Sequence, residues 1–246
     1  MRHQIRSEYR KLRTTRSVWG LFAGLLALTG LATWGILASL EVGAAVALTG
    51  LPVFIELVMI VPIFAVVLGI RAYTDEARHG SIVPTLLASP DRRRVVGAKV
   101  VVIGATAVLF SVAATSLTAG ISMVWLTANG VSVAVGVGPS VALTLKAVAI
   151  GAAWSAIGVG VGLFVSHQVA AIVGSLVWLL VGEGLVEVAA PQVAQFLPAH
   201  AASAVLGMLA GDGIFVGPLV GAGLLAGWAL ISLGTGTRAM VRRDIS

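Results

Sequence analysis

The most regular feature of the chain is a succession of long, uncharged apolar stretches separated by polar connections. A helix needs on the order of 20 apolar residues to cross about 30 Å of hydrocarbon. Six stretches have this length, and we predict them to be transmembrane helices: 18–40, 52–70, 100–127, 141–165, 169–190 and 214–236. Strands are excluded because an open strand would leave its backbone groups without hydrogen bonds in lipid.

Composition leads to the same fold class. Of 246 residues, 58% are hydrophobic and 11% are charged, whereas soluble domains are roughly half apolar and about one quarter charged. The first stretch is longer than the apolar core of a signal peptide, so we expect it to be retained as a span. Cysteine is absent, which rules out a disulfide framework and cysteine-based metal or redox chemistry.

The distribution of charge predicts the orientation. Of the 16 lysines and arginines, 15 precede the first predicted span, lie between the second and third, or follow the sixth. The positive-inside rule therefore places both termini and the segment 71–99 in the cytoplasm. The exception, Lys146, lies near the outer end of the fourth span, where its stem can reach the headgroups. Because topology explains the net charge of +6, we expect no nucleic-acid partner.

Two segments outside the spans are also predicted to be helical. In residues 1–17, Ile5, Tyr9 and Leu12 have helical spacing beside a stripe of arginines, which predicts an amphipathic helix on the inner membrane surface. The alternative is a disordered basic tail that only sets the topology. The segment 191–213 is apolar but interrupted by prolines and glycines, and we expect helical structure on or in the outer leaflet. The short link 166–168 predicts that spans four and five form an antiparallel hairpin.

The charged segment 71–99 has an internal pattern of its own. Pro84 and Pro90 bracket a short helix that Ser81 can cap. The residues that extend the second helix beyond the membrane and begin the third are Asp75, Glu76, Arg78, His79, Arg92, Arg93, Arg94 and Lys99. We therefore predict a short helix that protrudes into the cytoplasm and can contact a soluble partner.

This segment resembles part of a known family. The cytoplasmic connection between the second and third spans of ABC-2 type exporter permeases is similar to EARHGSIVPTLLASPDRRRVVGAK. The family's opening helix resembles SEYRKLRTTRSVWGLF, and its fifth span with the following outer segment resembles SHQVAAIVGSLVWLLVGEGLV and FLPAHAASAVLG. The resemblance extends along essentially the whole chain as a single permease domain, 1–246.

The resemblance implies a membrane subunit that forms half of a substrate path, together with a second copy or a related permease. A short coupling helix would dock into a separate ABC ATPase subunit. The implied coupling residues are Glu76, Arg78, His79, Gly80, Ser81, Thr85, Leu86 and Leu87; the alternative is that they only shape a tight turn. The chain lacks G-x-x-x-x-G-K-[ST], so we expect it not to be an enzyme and to hold no cofactor, with ATP and Mg²⁺ bound by the partner.

Four ionisable residues lie inside predicted spans toward the outer leaflet: Glu56, Lys146, Glu183 and Glu187. Such residues are functional candidates because charge in a membrane is costly. One interpretation is an outer vestibule that attracts a cationic or amphipathic substrate. The other is local pairing, for example of Lys146 with Glu183. The four histidines lack a paired metal-ligand spacing, so we expect no metal site.

The alternative function is an ATP-independent secondary transporter or a membrane scaffold. Secondary transporters often contain internal repeats and mid-membrane carboxylates, and we find neither a convincing repeat nor an acid near the midplane. The glycines at 158, 160 and 162 are interpreted as close helix packing, as are those at 217 and 221. The bias toward alanine, valine, glycine and arginine favours a bacterial plasma-membrane protein and leaves the substrate open.

Overall fold

A computed structural model describes residues 2–39, 59–78, 92–130, 137–207 and 217–242. Every regular element in these ranges is helical. The helices are α1 Arg2–Thr14, α2 Arg16–Ser39, α3 Val61–Arg78, α4 Arg92–Ala128, α5 Val137–Val165, α6 Gln168–Val177, α7 Glu183–Ala189, α8 Pro191–Ala194, α9 Pro198–Leu206 and α10 Pro218–Arg242. A π-helical segment, Trp178–Gly182, joins α6 to α7. The prediction of an all-helical chain is confirmed for these residues.

Five stretches of the described chain are long and apolar enough to cross a membrane: Arg16–Ser39, Arg94–Ala128, Val141–Val165, Gln168–Ala189 and Pro218–Arg242. They are the helices expected of a multi-pass membrane protein. The predicted second span is described only from residue 59 onward, so the count of six spans stays a prediction. The predicted short helix between Pro84 and Pro90 lies outside the described residues.

Several helices extend beyond the apolar stretches that predicted them. The third predicted span began at residue 100, but α4 begins at Arg92, and α10 continues to Arg242. Arginine and lysine are good helix formers, so charged turns can continue a helix out of the apolar layer. The link between α5 and α6 is shorter than expected, with Ser166 at φ 59° and His167 capping α6 through Nδ1, which accepts from Ala170 N at 3.3 Å.

The helix α5 lies at the centre of the bundle, between α3 and α10, and its glycines explain how. A helix turns by about 100° per residue, so Gly158 and Gly162 share one face whereas Gly160 lies on the opposite face. A Cβ at Gly158 would collide with the backbone of Val66 on α3, and one at Gly160 with the backbone of Ser232 on α10. The sequence GVGVG therefore allows two neighbouring backbones to approach α5 from opposite sides.

The other glycine pair has only one packed member. A Cβ at Gly221 would meet Ala201 and Val205 on α9, whereas no atom of the described residues lies within 4 Å of the Cβ position of Gly217. The prediction of close packing is thus confirmed for Gly221 and wrong for Gly217. Gly217 precedes the first residue of α10, so it lies before the part of this helix that crosses α9.

Buried apolar side chains fill the space among these helices, and large apolar side chains also cover the outside. Leu25 of α2, Ile70 of α3 and Ile150 of α5 are fully buried, whereas Leu219 and Leu230 of α10 are largely exposed. An exposed apolar surface of this extent is expected for helices that face lipid.

We predict opposite effects for two glycines replaced by alanine. Gly160→Ala places a methyl group against the α10 backbone and should cost on the order of 1–3 kcal/mol through overpacking. Gly234→Ala, on α10 with open space at its Cβ position, is the matched control and should be neutral or slightly stabilising. Thermal unfolding in detergent measures both, and equal melting temperatures for the two variants would contradict the close contact.

Candidate functional site

Several helix ends meet at one end of the bundle, which we call the basic end because Arg71, Arg78 and Lys99 lie there. Arg71 donates to Ser17 Oγ at 2.6 Å and pairs with Asp75 at 3.0 Å, which joins α3 to the start of α2. Gln168 donates to Asp75 Oδ1 at 2.5 Å, which adds the start of α6. These contacts bring together ends that the predicted topology assigns to one side of the membrane.

The centre of the basic end is a charge cluster of four residues, Glu8, Lys11, Glu76 and Lys99. Lys99 Nζ lies 3.0 Å from Glu8 Oε2 and 2.8 Å from Glu76 Oε1. Lys11 Nζ lies 3.0 Å from Glu8 Oε1 and 2.7 Å from Glu76 Oε1. Each lysine therefore contacts both carboxylates, and the cluster joins α1, α3 and α4.

The cluster is buried where Lys99 lies and more open at Lys11, whose side chains are 1% and 41% exposed. Lys99 also donates to the backbone oxygen of Ala72 at 2.9 Å. A buried ammonium group is tolerated only when it is paired and hydrogen-bonded. Two positive and two negative groups make the cluster neutral, which meets that requirement.

The cluster shifts the pKa of both groups contributed by α1. Burial alone would raise the pKa of Glu8, but the ammonium groups of Lys99 and Lys11 outweigh burial and hold this pKa below its usual value. Burial would lower the pKa of Lys11, but its hydrogen bonds to Glu76 and Glu8 raise the pKa above its usual value. Both groups therefore stay ionised in the neutral pH range.

Two of the implied coupling residues lie within the described chain. Glu76 points inward to the two lysines of the cluster, so its side chain supports the basic end from within. Nη1 of Arg78, the last residue of α3, donates to Gln168 Oε1 at 3.5 Å. The remaining coupling residues lie outside the described residues: His79, Gly80, Ser81, Thr85, Leu86 and Leu87.

Beside the cluster, a cavity of about 450 Å³ lies among α1, α2, α3 and α6. Three basic and three acidic side chains line it: Lys11, Arg71, Arg78, Glu8, Asp75 and Glu76. Because these charges balance, the cavity offers no net attraction for a strongly charged ligand.

At the opposite end of the bundle, the intramembrane charges hold the two ends of α9. Glu183 Oε2 accepts from Ala199 N at 2.9 Å, at the N-terminus of α9. Lys146 Nζ donates to the backbone oxygen of Leu206 at 2.9 Å, at the C-terminus. An anion at the N-terminus and a cation at the C-terminus both match the helix dipole. Glu183 and Lys146 thus bind opposite ends of α9 and do not pair with each other.

His200, near the start of α9, lies between two carboxylates. Its Nδ1 is 3.7 Å from Glu183 Oε2, and its Nε2 is 3.6 Å from Glu187 Oε2. The carboxylate of Glu183, followed by that of Glu187, raises the pKa of His200 above its usual value despite the opposing effect of burial. Glu187 is half-exposed, whereas Glu183 is buried. Glu56 lies outside the described residues.

The π-helical segment Trp178–Gly182 comes directly before Glu183. A π-bulge adds one residue to a turn and rotates the helix that follows. The rotation accompanies the inward position of Glu183, which is buried on a span that otherwise exposes most of its surface. The sequence contains no clear signal for the bulge.

Sequence reasoning missed the roles of Glu8, Lys11 and His200. A local signal existed for the first two, since their spacing of three residues on a helix allows an ion pair. Their contacts with α3 and α4 join residues 65 and 91 positions apart, and no local pattern could have indicated those contacts.

No protein-family model matches the chain, and no curated protein matches it. Among the described residues, no group of three or more histidine or carboxylate side chains could hold a metal ion.

We predict that the two cluster lysines differ in their importance for stability. Lys99→Met removes an ammonium group from buried Glu76 and partly buried Glu8, and should cost about 3–5 kcal/mol. Lys11→Met should cost clearly less, because the ammonium group that it removes is more exposed to water. Chemical unfolding in mixed micelles compares the two variants. A larger loss of stability for Lys11→Met than for Lys99→Met would show that burial does not determine how much each lysine contributes to the free energy of unfolding.

A second prediction concerns pH and His200. Because the folded-state pKa is raised above 6.5, the stabilisation is complete below pH 6.5 and is lost as the pH rises through the folded-state pKa. The melting temperature of the wild type relative to His200→Gln should therefore be highest near pH 6 and fall toward pH 9. A difference that stays constant or grows with pH would show that the carboxylates do not stabilise the imidazolium.

Proposed function

We propose that this chain is the membrane-spanning permease subunit of an ATP-driven exporter of the ABC-2 type, powered by a separate ATPase subunit. The observation that carries the proposal is the position of the four-residue charge cluster. The cluster joins the end of α3 to the start of α4, which flank the segment 79–91. In the resembled family, this segment is the one that docks on the ATPase.

The cluster makes the two flanking helices a single mechanical unit. Glu76 precedes the end of α3 at Arg78, and Lys99 lies two turns into α4, which begins at Arg92. A force applied to the segment 79–91 would therefore reach α3, α4 and, through Glu8 and Lys11, α1. Since α3 packs against α5 by backbone contact at Gly158, the same force would reach the centre of the bundle.

Other parts of the proposal follow from the distribution of charge, the composition and the same resemblance. Both termini would lie in the cytoplasm of a bacterium whose plasma membrane holds the chain, with α1 on the inner surface and α8 and α9 on the outer side. ATP and Mg²⁺ would bind to the ATPase, and a second copy or a related permease would complete the substrate path. The chemical class of the substrate stays open.

The first experiment is purification of the full chain from its native membranes in mild detergent, with mass spectrometry of what co-purifies. We expect a soluble subunit with a phosphate-binding loop in near-stoichiometric amount. The triple substitution Thr85→Asp, Leu86→Asp and Leu87→Asp should remove it. The control Arg238→Asp and Arg242→Asp places acids on α10 at the same end and should retain it.

The melting temperature of each variant separates loss of the partner from loss of the fold. A chain that purifies alone with the segment 71–99 intact would instead favour an ATP-independent transporter or a scaffold. Equal loss of the subunit in the triple variant and the α10 control would show that general charge at the basic end, and not the coupling segment, determines binding.

A further inference from the structure

A second groove lies between α1, α2 and α4, and it differs in character from the polar cavity. It has a volume of about 490 Å³ and is almost entirely apolar. Tyr9 and Leu12 contribute from α1, Trp19 and Phe22 from α2, and Phe110 from α4. The rings of Phe22 and Phe110 pack with centroids 5.0 Å apart, and Trp19 meets Phe22 edge-on at 6.4 Å.

The depth of the groove corresponds to the acyl region of a bilayer. Thr106 and Ala113, which line the groove on α4, lie about 10 and 21 Å along the helix from Lys99 at 1.5 Å per residue. Lys99 directly precedes the apolar stretch that the sequence predicts as a span, 100–127. Tyr9 and Trp19 are 57% and 60% exposed at the rim, as aromatic residues often are where hydrocarbon meets headgroups.

Two exposed arginines, Arg6 and Arg16, lie on the helices that contribute the rim aromatic residues. Arg6 precedes Tyr9 by one helical turn and Arg16 precedes Trp19 by one turn, so each exposed arginine lies on the same side of its helix as a rim aromatic residue. Around α1, Tyr9 and Leu12 lie between Arg6 on one side and the cluster residues Glu8 and Lys11 on the other. The mouth therefore differs from the neighbouring polar cavity, whose charges balance.

We propose that the groove binds one acyl chain of an anionic glycerophospholipid, with its phosphate between Arg6 and Arg16. An apolar slot at acyl depth and a cationic rim at headgroup depth together match an anionic lipid. Such a lipid would fill the space between α1 and the spans and would hold α1 against the membrane surface. This site is independent of any ATPase partner.

Native mass spectrometry of the full chain tests the site with two lipids that have the same acyl chains, phosphatidylglycerol and phosphatidylcholine. We expect tighter retention of phosphatidylglycerol by the wild type. Each arginine near a membrane surface strengthens binding of an anionic lipid about fivefold. The double substitution Arg6→Gln with Arg16→Gln should therefore weaken the retention of phosphatidylglycerol about 25-fold. The control Arg238→Gln with Arg242→Gln removes two exposed arginines from α10 at the same end and should change it less than about twofold.

A steric variant tests the acyl half separately. Ala113→Phe fills the groove and should reduce retention of both lipids. Equal retention of the two lipids by the wild type, a loss in the α10 control as large as in the Arg6 and Arg16 variant, or undiminished lipid binding by Ala113→Phe would each overturn the proposal. So would a lipid-free dimer that Ala113→Phe dissociates, since the groove would then hold a second copy.

The comparison of lipids on the wild type remains decisive if a variant fails to fold. Inorganic phosphate tests whether the headgroup alone is enough for binding. It should not raise the melting temperature of the protein, because in the proposed site the acyl chain supplies most of the contact area. Stabilisation by phosphate equal to that by phosphatidylglycerol would overturn the assignment to a lipid.

Discussion

The desolvation of one ammonium group dictates how this bundle is assembled at its basic end. Lys99 is buried, and the free-energy penalty of an unpaired buried charge is too large for a stable fold. Two carboxylates from two other helices must therefore reach it, and Lys11 in turn balances the second negative charge. This requirement constrains the positions of α1, α3 and α4 relative to one another.

The two ends of the molecule use charge in different ways. At the basic end, side chains pair with side chains, and the pairs join separate helices. At the opposite end, Glu183 and Lys146 bind backbone groups at the termini of α9, where an amide or a carbonyl lacks an intrahelical partner. Backbone groups in an apolar environment must be satisfied, so these two residues explain how a short helix that begins at Pro198 can pack against the spans.

The sequence predicted those features that depend on neighbouring residues. Apolar length indicated the membrane helices, and the GVGVG pattern indicated close packing at Gly158, Gly160 and Gly162. It did not predict which residues would satisfy Lys99 or His200, because these contacts join segments distant in the chain. It also suggested pairing of Lys146 with Glu183, since no local pattern distinguishes a carboxylate partner from the backbone carbonyl of Leu206. The segment that the family resemblance makes most important lies outside the described residues.

The alternating glycines of α5 have a mechanical consequence. Where helices touch through their backbones, no flexible side chains lie between them to absorb sliding or tilting. We expect α3, α5 and α10 to move as one rigid block in any conformational change of the bundle. Relative motion would then be confined to helices outside this block, such as α2 and the α6–α7 span, which can shift without opening these backbone contacts.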